Sequence, residues 1–140
     1  MSKLSGTEKN PANKEKALQF FSNYVNLLKC TPGIEEINGK NFTVHASIGP
    51  LKVELEGTVK EHSIADDNVI NKMEILGPGI KVNLTTNVKV EEKEIKWTAE
   101  YEISGSLSKA LEKTISSQAE DITKKIISCT IAGIDRANNS

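Results

Sequence analysis

The chain has 140 residues, 37% hydrophobic and 26% charged, an ordinary soluble composition with enough length to bury one core. Lys+Arg 18 against Asp+Glu 19 leaves a net charge of −1, which gives no electrostatic footprint for nucleic acid. The apolar runs are too short for a transmembrane helix, and Met1 to Gly6 has no apolar stretch of the kind a signal peptide needs.

Lys3 to Lys9 is short and weakly patterned and reads as an edge strand. Asn10-Pro11-Ala12-Asn13 is a turn, with Asn13 placed to cap a helix. From Lys14 to Leu28 the residues Ala17, Phe21, Tyr24 and Leu28 keep a helical period. Ser22-Asn23 is expected to split that segment into two short helices, because both residues prefer caps to helix interiors. Thr31-Pro32-Gly33 then stops it.

From Ile34 to Ser104 the period becomes two. Phe42, Val44, Ala46 and Ile48 alternate with polar residues, as do Leu51, Val53, Leu55, Gly57 and Val59. The pattern returns at Met73 and Ile75, again from Ile80 through Val82, Leu84 and Val88 to Val90, and again at Ile95, Trp97, Ala99, Tyr101 and Ile103. This describes an antiparallel meander with one apolar face and one wet face. Alternate turns of a meander share an end, so Gly49-Pro50, Gly77-Pro78-Gly79 and Ser104-Gly105-Ser106 gather at one end and the charged turns at the other. Tight hairpins favour glycine and proline in any case. The same residues, Gly49, Pro50, Gly77, Pro78, Gly79 and Gly105, would also form a mobile, weakly charged cavity rim.

Ser106 to Ile131 is the longest helical pattern, with Leu107, Leu111, Ile115, Ile122 and Ile126 on one stripe, widened by Ala110 and Ala119. A polar tail is expected over residues 135–140. The sum is one α+β domain over residues 1–140, a curved antiparallel sheet closing on a long C-terminal helix.

Catalytic and metal-binding patterns are missing from the sequence. His45 and His62 fall at or near positions expected to face solvent, without metal-site spacing. Glu54, Glu56, Glu100 and Glu102 fall on the wet face, so they are solvated strand residues and not an acid/base pair. Cys30 and Cys129, with no Cys-x-x-Cys, are expected to be buried thiols in a reducing, cytoplasmic compartment. What remains is the apolar face. Trp97 and Tyr101 project from one strand, and Gln118 and Thr114 lie on or near the helix stripe, so a few polar groups point into a greasy space.

The order of strand, helical pair, meander and long helix resembles the helix-grip fold of START-like and birch-pollen-allergen-like proteins. Lys3-Leu4-Ser5-Gly6, Asn10-Pro11-Ala12 and Leu28-Lys29-Cys30-Thr31-Pro32-Gly33-Ile34-Glu35 are similar to the opening of the CoxG family, the G subunits of carbon monoxide dehydrogenase. The Ile48-Gly49-Pro50-Leu51-Lys52 hairpin, Gly57 and the Gly77–Gly79 turn follow the same family's pattern, and the likeness runs to about Ile131. The resemblance implies an apolar tunnel between sheet and helix and a non-catalytic role serving a CO-dehydrogenase-type molybdenum hydroxylase, through a lipophilic molecule such as a quinone. Some family members carry a membrane-anchoring tail. The polar Asp135-Arg136-Ala137-Asn138-Asn139 segment leads us to expect peripheral membrane contact at most.

The expected cavity draws Phe42, Val44, Val53, Leu55 and Met73 from the first strands of the meander and Val82, Leu84, Trp97 and Tyr101 from the last two. Leu111, Ile115, Gln118 and Ile122 line it from the helix. No cofactor, metal or nucleic-acid partner is expected. Two other uses of the fold remain open: a cyclase- or hydrolase-like enzyme, which needs acid/base groups inside, and a ligand-free assembly or chaperone-cofactor module.

Overall fold

A computed structural model describes residues 2–139. Strand β1 (Ser2–Lys9) leads into helices α1 (Lys14–Phe21) and α2 (Tyr24–Lys29). Strands β2 (Ile34–Asn38), β3 (Asn41–Ile48), β4 (Leu51–Ala65), β5 (Asn68–Gly77), β6 (Ile80–Val90) and β7 (Glu94–Ser104) follow, and then helix α3 (Ser108–Asn138). The seven strands form one antiparallel sheet in the order β1-β7-β6-β5-β4-β3-β2. The first strand therefore pairs with the last, and the helical pair carries the chain across the sheet from one edge to the other.

Local chemistry sets the boundaries. The Asn13 side chain accepts from the Lys16 N–H at 2.9 Å and caps α1, and Asn23 accepts from the Val25 N–H at 3.0 Å and caps α2. Both bonds satisfy amides that a helix start leaves without partners. Between them the chain breaks at Ser22, as its composition predicts. Buried Asn10 locks the first turn to the β6–β7 turn through its backbone bond to Lys93 O and its amide bond to Glu91 O.

Register assigns each side chain to a face. Val44 lies opposite Leu55, Val59 opposite Met73, Ile75 opposite Val82 and Leu84 opposite Tyr101, so the alternating apolar residues share the inner face. The β4–β5 register shifts between Val59 and Glu61, a β-bulge at Lys60. The extra residue reverses the alternation, and beyond it His62 pairs with buried Asn71 on the inner face. The solvent-facing position expected for His62 is thereby corrected.

The two packed clusters of the interior both involve the helical pair. Ala17 and Phe21 of α1 bury against Val69, Val88, Val90, Ile95 and, from α3, Ile134. Leu28 of α2 buries against Phe42, Val44 and Val59. Helix α3 is anchored there, with Thr130, Gly133 and Ile134 its buried residues. Ile134 carries the helix on to Asn138, where Lys16 Nζ donates to Asn138 Oδ1 at 3.1 Å, so most of the stretch expected to be a tail is helical. The expected stripe is not buried earlier in the helix: Leu107 remains 38% and Ile122 37% exposed. Helix α3 meets α1 and α2 and, on the sheet, mainly β7 and β3, while Val53, Leu55, Met73, Val82 and Leu84 of the central strands stay half-buried.

The cysteines also depart from expectation. Cys30, the C-cap of α2, and Cys129 of α3 form a disulfide with their Cα atoms 5.5 Å apart, and they are not free thiols. The pairing removes the argument from cysteine usage for a reducing compartment.

Candidate functional site: a trough between sheet and long helix

Between α3 and the central strands part of the inner face stays accessible, and this trough is the candidate site. Its floor is the inner face of β4, β5 and β6, where Val53, Leu55, Met73, Val82 and Leu84 are all half-buried although they face the interior. Leu111, Ile115 and Gln118 are half-buried on α3. Inward-facing apolar side chains that stay accessible are the mark of space left unfilled, since a packed core excludes solvent from such groups. Met73 and Leu55 also touch the packed cluster around Leu28, so they form the boundary between the filled and open parts.

Of the remaining residues of the expected cavity, Ile122 is exposed on α3 and the others are buried or packed against the filled clusters. Phe42 and Val44 are buried beneath α2, and Tyr101 is buried on β7. Trp97 packs against the cluster around Phe21, and its ring lies over Gly6, where an added Cβ would approach the ring to 2.6 Å. Two concavities, of about 290 and 390 Å³, indent the sheet. Both are bordered mainly by outward side chains such as Glu36, Thr43 and Glu56 in one and Thr7, Lys89 and Lys96 in the other. They belong to the outer face and not to the trough.

The glycine turns stand at the trough's open end, where the Leu107 N–H donates to Gly79 O at 2.9 Å and ties the start of α3 to the β5–β6 turn. Thr114 Cγ2 lies 3.7 Å from where a Cβ on Gly49 would be. Gln118 Nε2 donates to Ser47 O at 2.5 Å, on the part of β3 that β2 does not reach. Its amide N–H is thus a strut between helix and sheet edge.

Glu8, His62 and its partner Asn71 are inward polar groups that escape the sequence reading. Glu8 faces inward beside Ile95 and accepts from Trp97 Nε1 at 3.3 Å. His62 Nε2 bonds to Phe21 O at 2.8 Å, and because a carbonyl only accepts, Nε2 carries the proton. Nδ1 then accepts from Asn71 Nδ2 at 3.0 Å, and the Tyr24 ring meets the imidazole edge-on with centroids 5.8 Å apart. Both imidazole nitrogens are committed to holding the helical pair on the sheet. Alternation from neighbouring apolar residues identifies Glu8 only once its register with Ile95 is known, and the bulge that turns His62 leaves no pattern in the sequence.

Charge around the site is mostly superficial. The Lys14 ammonium, 2.8 Å from Asp67, is held above its usual amine pKa of 10.5, chiefly by the hydrogen bond to that carboxylate. Among the described residues no cluster of His, Cys, Asp and Glu is arranged to hold a metal ion, and no helix is long and apolar enough to cross a membrane.

A curved antiparallel sheet gripping one long helix, with an apolar trough between them, defines a START-like helix-grip protein. Solved structures of that shape are similar over almost the whole chain. A conserved protein from Geobacillus kaustophilus has a TM-score of 0.74 at 14% identity, with 97% of each chain covered. The ZhuI aromatase/cyclase from Streptomyces sp. R1128 has a TM-score of 0.66 at 8% identity, covering 96% of this chain and 94% of its own. TTHA0849 from Thermus thermophilus has a TM-score of 0.62 at 15% identity, covering 97% of this chain and 99% of its own. These likenesses concern the fold. The family model for CoxG, the G subunits of carbon monoxide dehydrogenase, matches residues 6–134, and the chain belongs to that family. No curated protein matches it.

Proposed function

We propose that this chain is a non-catalytic accessory protein of a carbon monoxide dehydrogenase, a molybdenum hydroxylase, and that it holds a lipophilic small molecule of quinone character in the trough. Family membership supports the accessory role. The ligand rests on one observation: Val53, Val82 and Leu84 on the inner face of the sheet and Leu111 and Ile115 on α3 all stay half-buried. An elongated apolar molecule laid between them removes that surface from water at about 25 cal/mol per Å². The cytoplasmic location and a contact with membranes that is peripheral at most belong to the same reading. Glu8 and His62 are the inward acid/base groups that an enzyme would need, but Glu8 is bonded to Trp97 and both nitrogens of His62 are engaged within the filled end.

Native mass spectrometry of the purified chain followed by solvent extraction tests the reading. A co-purifying apolar molecule, or saturable uptake of an apolar fluorophore that Ile115→Trp or Leu55→Trp weakens, supports it. An empty extract together with non-saturable probe binding rejects it.

A further inference from the structure

The Cys30–Cys129 bond occupies a mechanical boundary in α3. On its C-terminal side Thr130, Gly133 and Ile134 are buried, and the Phe20 ring sits so close to Gly133 that an added Cβ would lie 2.7 Å from it. On its N-terminal side no residue from 119 to 128 is buried. Among the described residues the next hydrogen bond from the helix to the sheet is Gln118 to Ser47, and Thr114 lies near Gly49. Cys30 is itself fixed to the same sheet edge, because the turn that follows it is held by the His45 N–H bond to Gly33 O at 2.9 Å. The disulfide, joining residues 99 apart in sequence, is therefore the covalent fastening of the uncovered stretch of helix to the sheet edge. Both cysteines are half-buried.

We propose that Cys30–Cys129 is a reversible thiol–disulfide modification site, reduced by a dithiol, and that its state sets how firmly α3 covers the trough. A thiolate of the dithiol attacks one Sγ, the sulfur–sulfur bond breaks, and the other Sγ leaves as a thiolate that takes up a proton. The second thiol of the reductant then displaces the first Sγ. Cys30 and Cys129 end as two thiols and the reductant as a disulfide, with two electrons and two protons transferred. With the link open, the hydrogen bonds described between the stretch from Ser108 to Ser128 and the rest of the fold are Ser108 N–H to Gly105 O and Gln118 to Ser47 O, and none of its residues is buried. Local opening of such sparsely packed segments is the low-energy motion of a fold. The motion follows from the placement of the disulfide alone, and only its consequence for a bound molecule rests on the function proposed above.

Hydrogen–deuterium exchange of the full chain, before and after treatment with dithiothreitol, tests it, with iodoacetamide trapping to count free thiols. Reduction should release both thiols and raise exchange over residues 108–128 by tenfold or more, leave β5 and β6 protected, and be reversed by oxidised dithiothreitol. Cys129→Ser should reproduce the faster exchange without reductant. Native protein whose disulfide resists dithiothreitol overturns the proposal, as does helix exchange that does not change or that rises together with the sheet. Probe uptake, measured in parallel, separates the two ideas: a helix that loosens without any saturable binding retains the redox site and rejects the ligand.

Discussion

The two ends of the molecule use the same materials differently. At the end holding the helical pair, Phe21, Leu28, Val59 and Ile134 are at most 2% exposed, and every inward polar group described above has a partner except Thr130 Oγ1. Toward the glycine-rich end Ile48 and Ile80 are buried, but Val53, Val82 and Leu84 on the same sheet face stay half-buried. The difference follows α1 and α2, which pack into both filled clusters. Stability and binding are thus divided along one sheet, and substitutions should separate them.

The largest contrast is expected from truncation. Leu28→Ala or Ile134→Ala should cost about 2–5 kcal/mol by denaturant unfolding, because a closed cavity is left behind. Val82→Ala, on the trough floor, should cost less than about 1 kcal/mol, since water already reaches the site. Equal losses at both ends would mean that the trough is packed in solution.

Insertion reverses the test. Val59→Trp should destabilise by about 1–3 kcal/mol through overpacking, while Ile115→Trp should change stability little and reduce uptake of an apolar probe. A large loss from Ile115→Trp would place that side chain in a filled core.

Thr130 sharpens the picture of the filled end. The residue is 1% exposed and its hydroxyl has no hydrogen-bond partner among the described residues, so Thr130→Val should stabilise by about 1 kcal/mol. Destabilisation of similar size would reveal a partner such as a bound water.

The smallest effect belongs to the Lys14–Asp67 pair at the filled end's surface. Because folding raises the Lys14 pKa above 10.5, its contribution is complete below that pH and fades as pH rises through the amine range. Both partners are exposed, so Asp67→Asn should lower Tm at neutral pH by no more than about 2 °C, and added salt should erase the difference. A larger drop that persists in salt would make the pair part of the core's support.

Much of this was readable from residue order. Asn13 and Asn23 announce caps through their own chemistry, the Ser22 break follows from helix propensity, and the period-two runs from Phe42 to Ile103 place their side chains on one face wherever the ladder is regular. The gathering of Gly49, Gly77–Gly79 and Gly105 at one end follows from meander topology. His62 was not readable because one extra residue at Lys60 inverts the alternation, and nothing in the side chains near it marks a bulge. The inward turn of Glu8 depends on pairing with Ile95, across most of the chain.

What sequence alone determined about this protein is what depends on neighbours within a few residues: caps, turns, strand period, and the order of elements that carries the family likeness. Tertiary structure alone decided where α3 is anchored, because that depends on Phe20 meeting Gly133 and on Phe21 packing in one cluster with Ile134. It also decided that Cys30 and Cys129 meet, since a bond between residues 99 apart needs the helix to return over α2. Both follow from long-range packing, which no local pattern encodes.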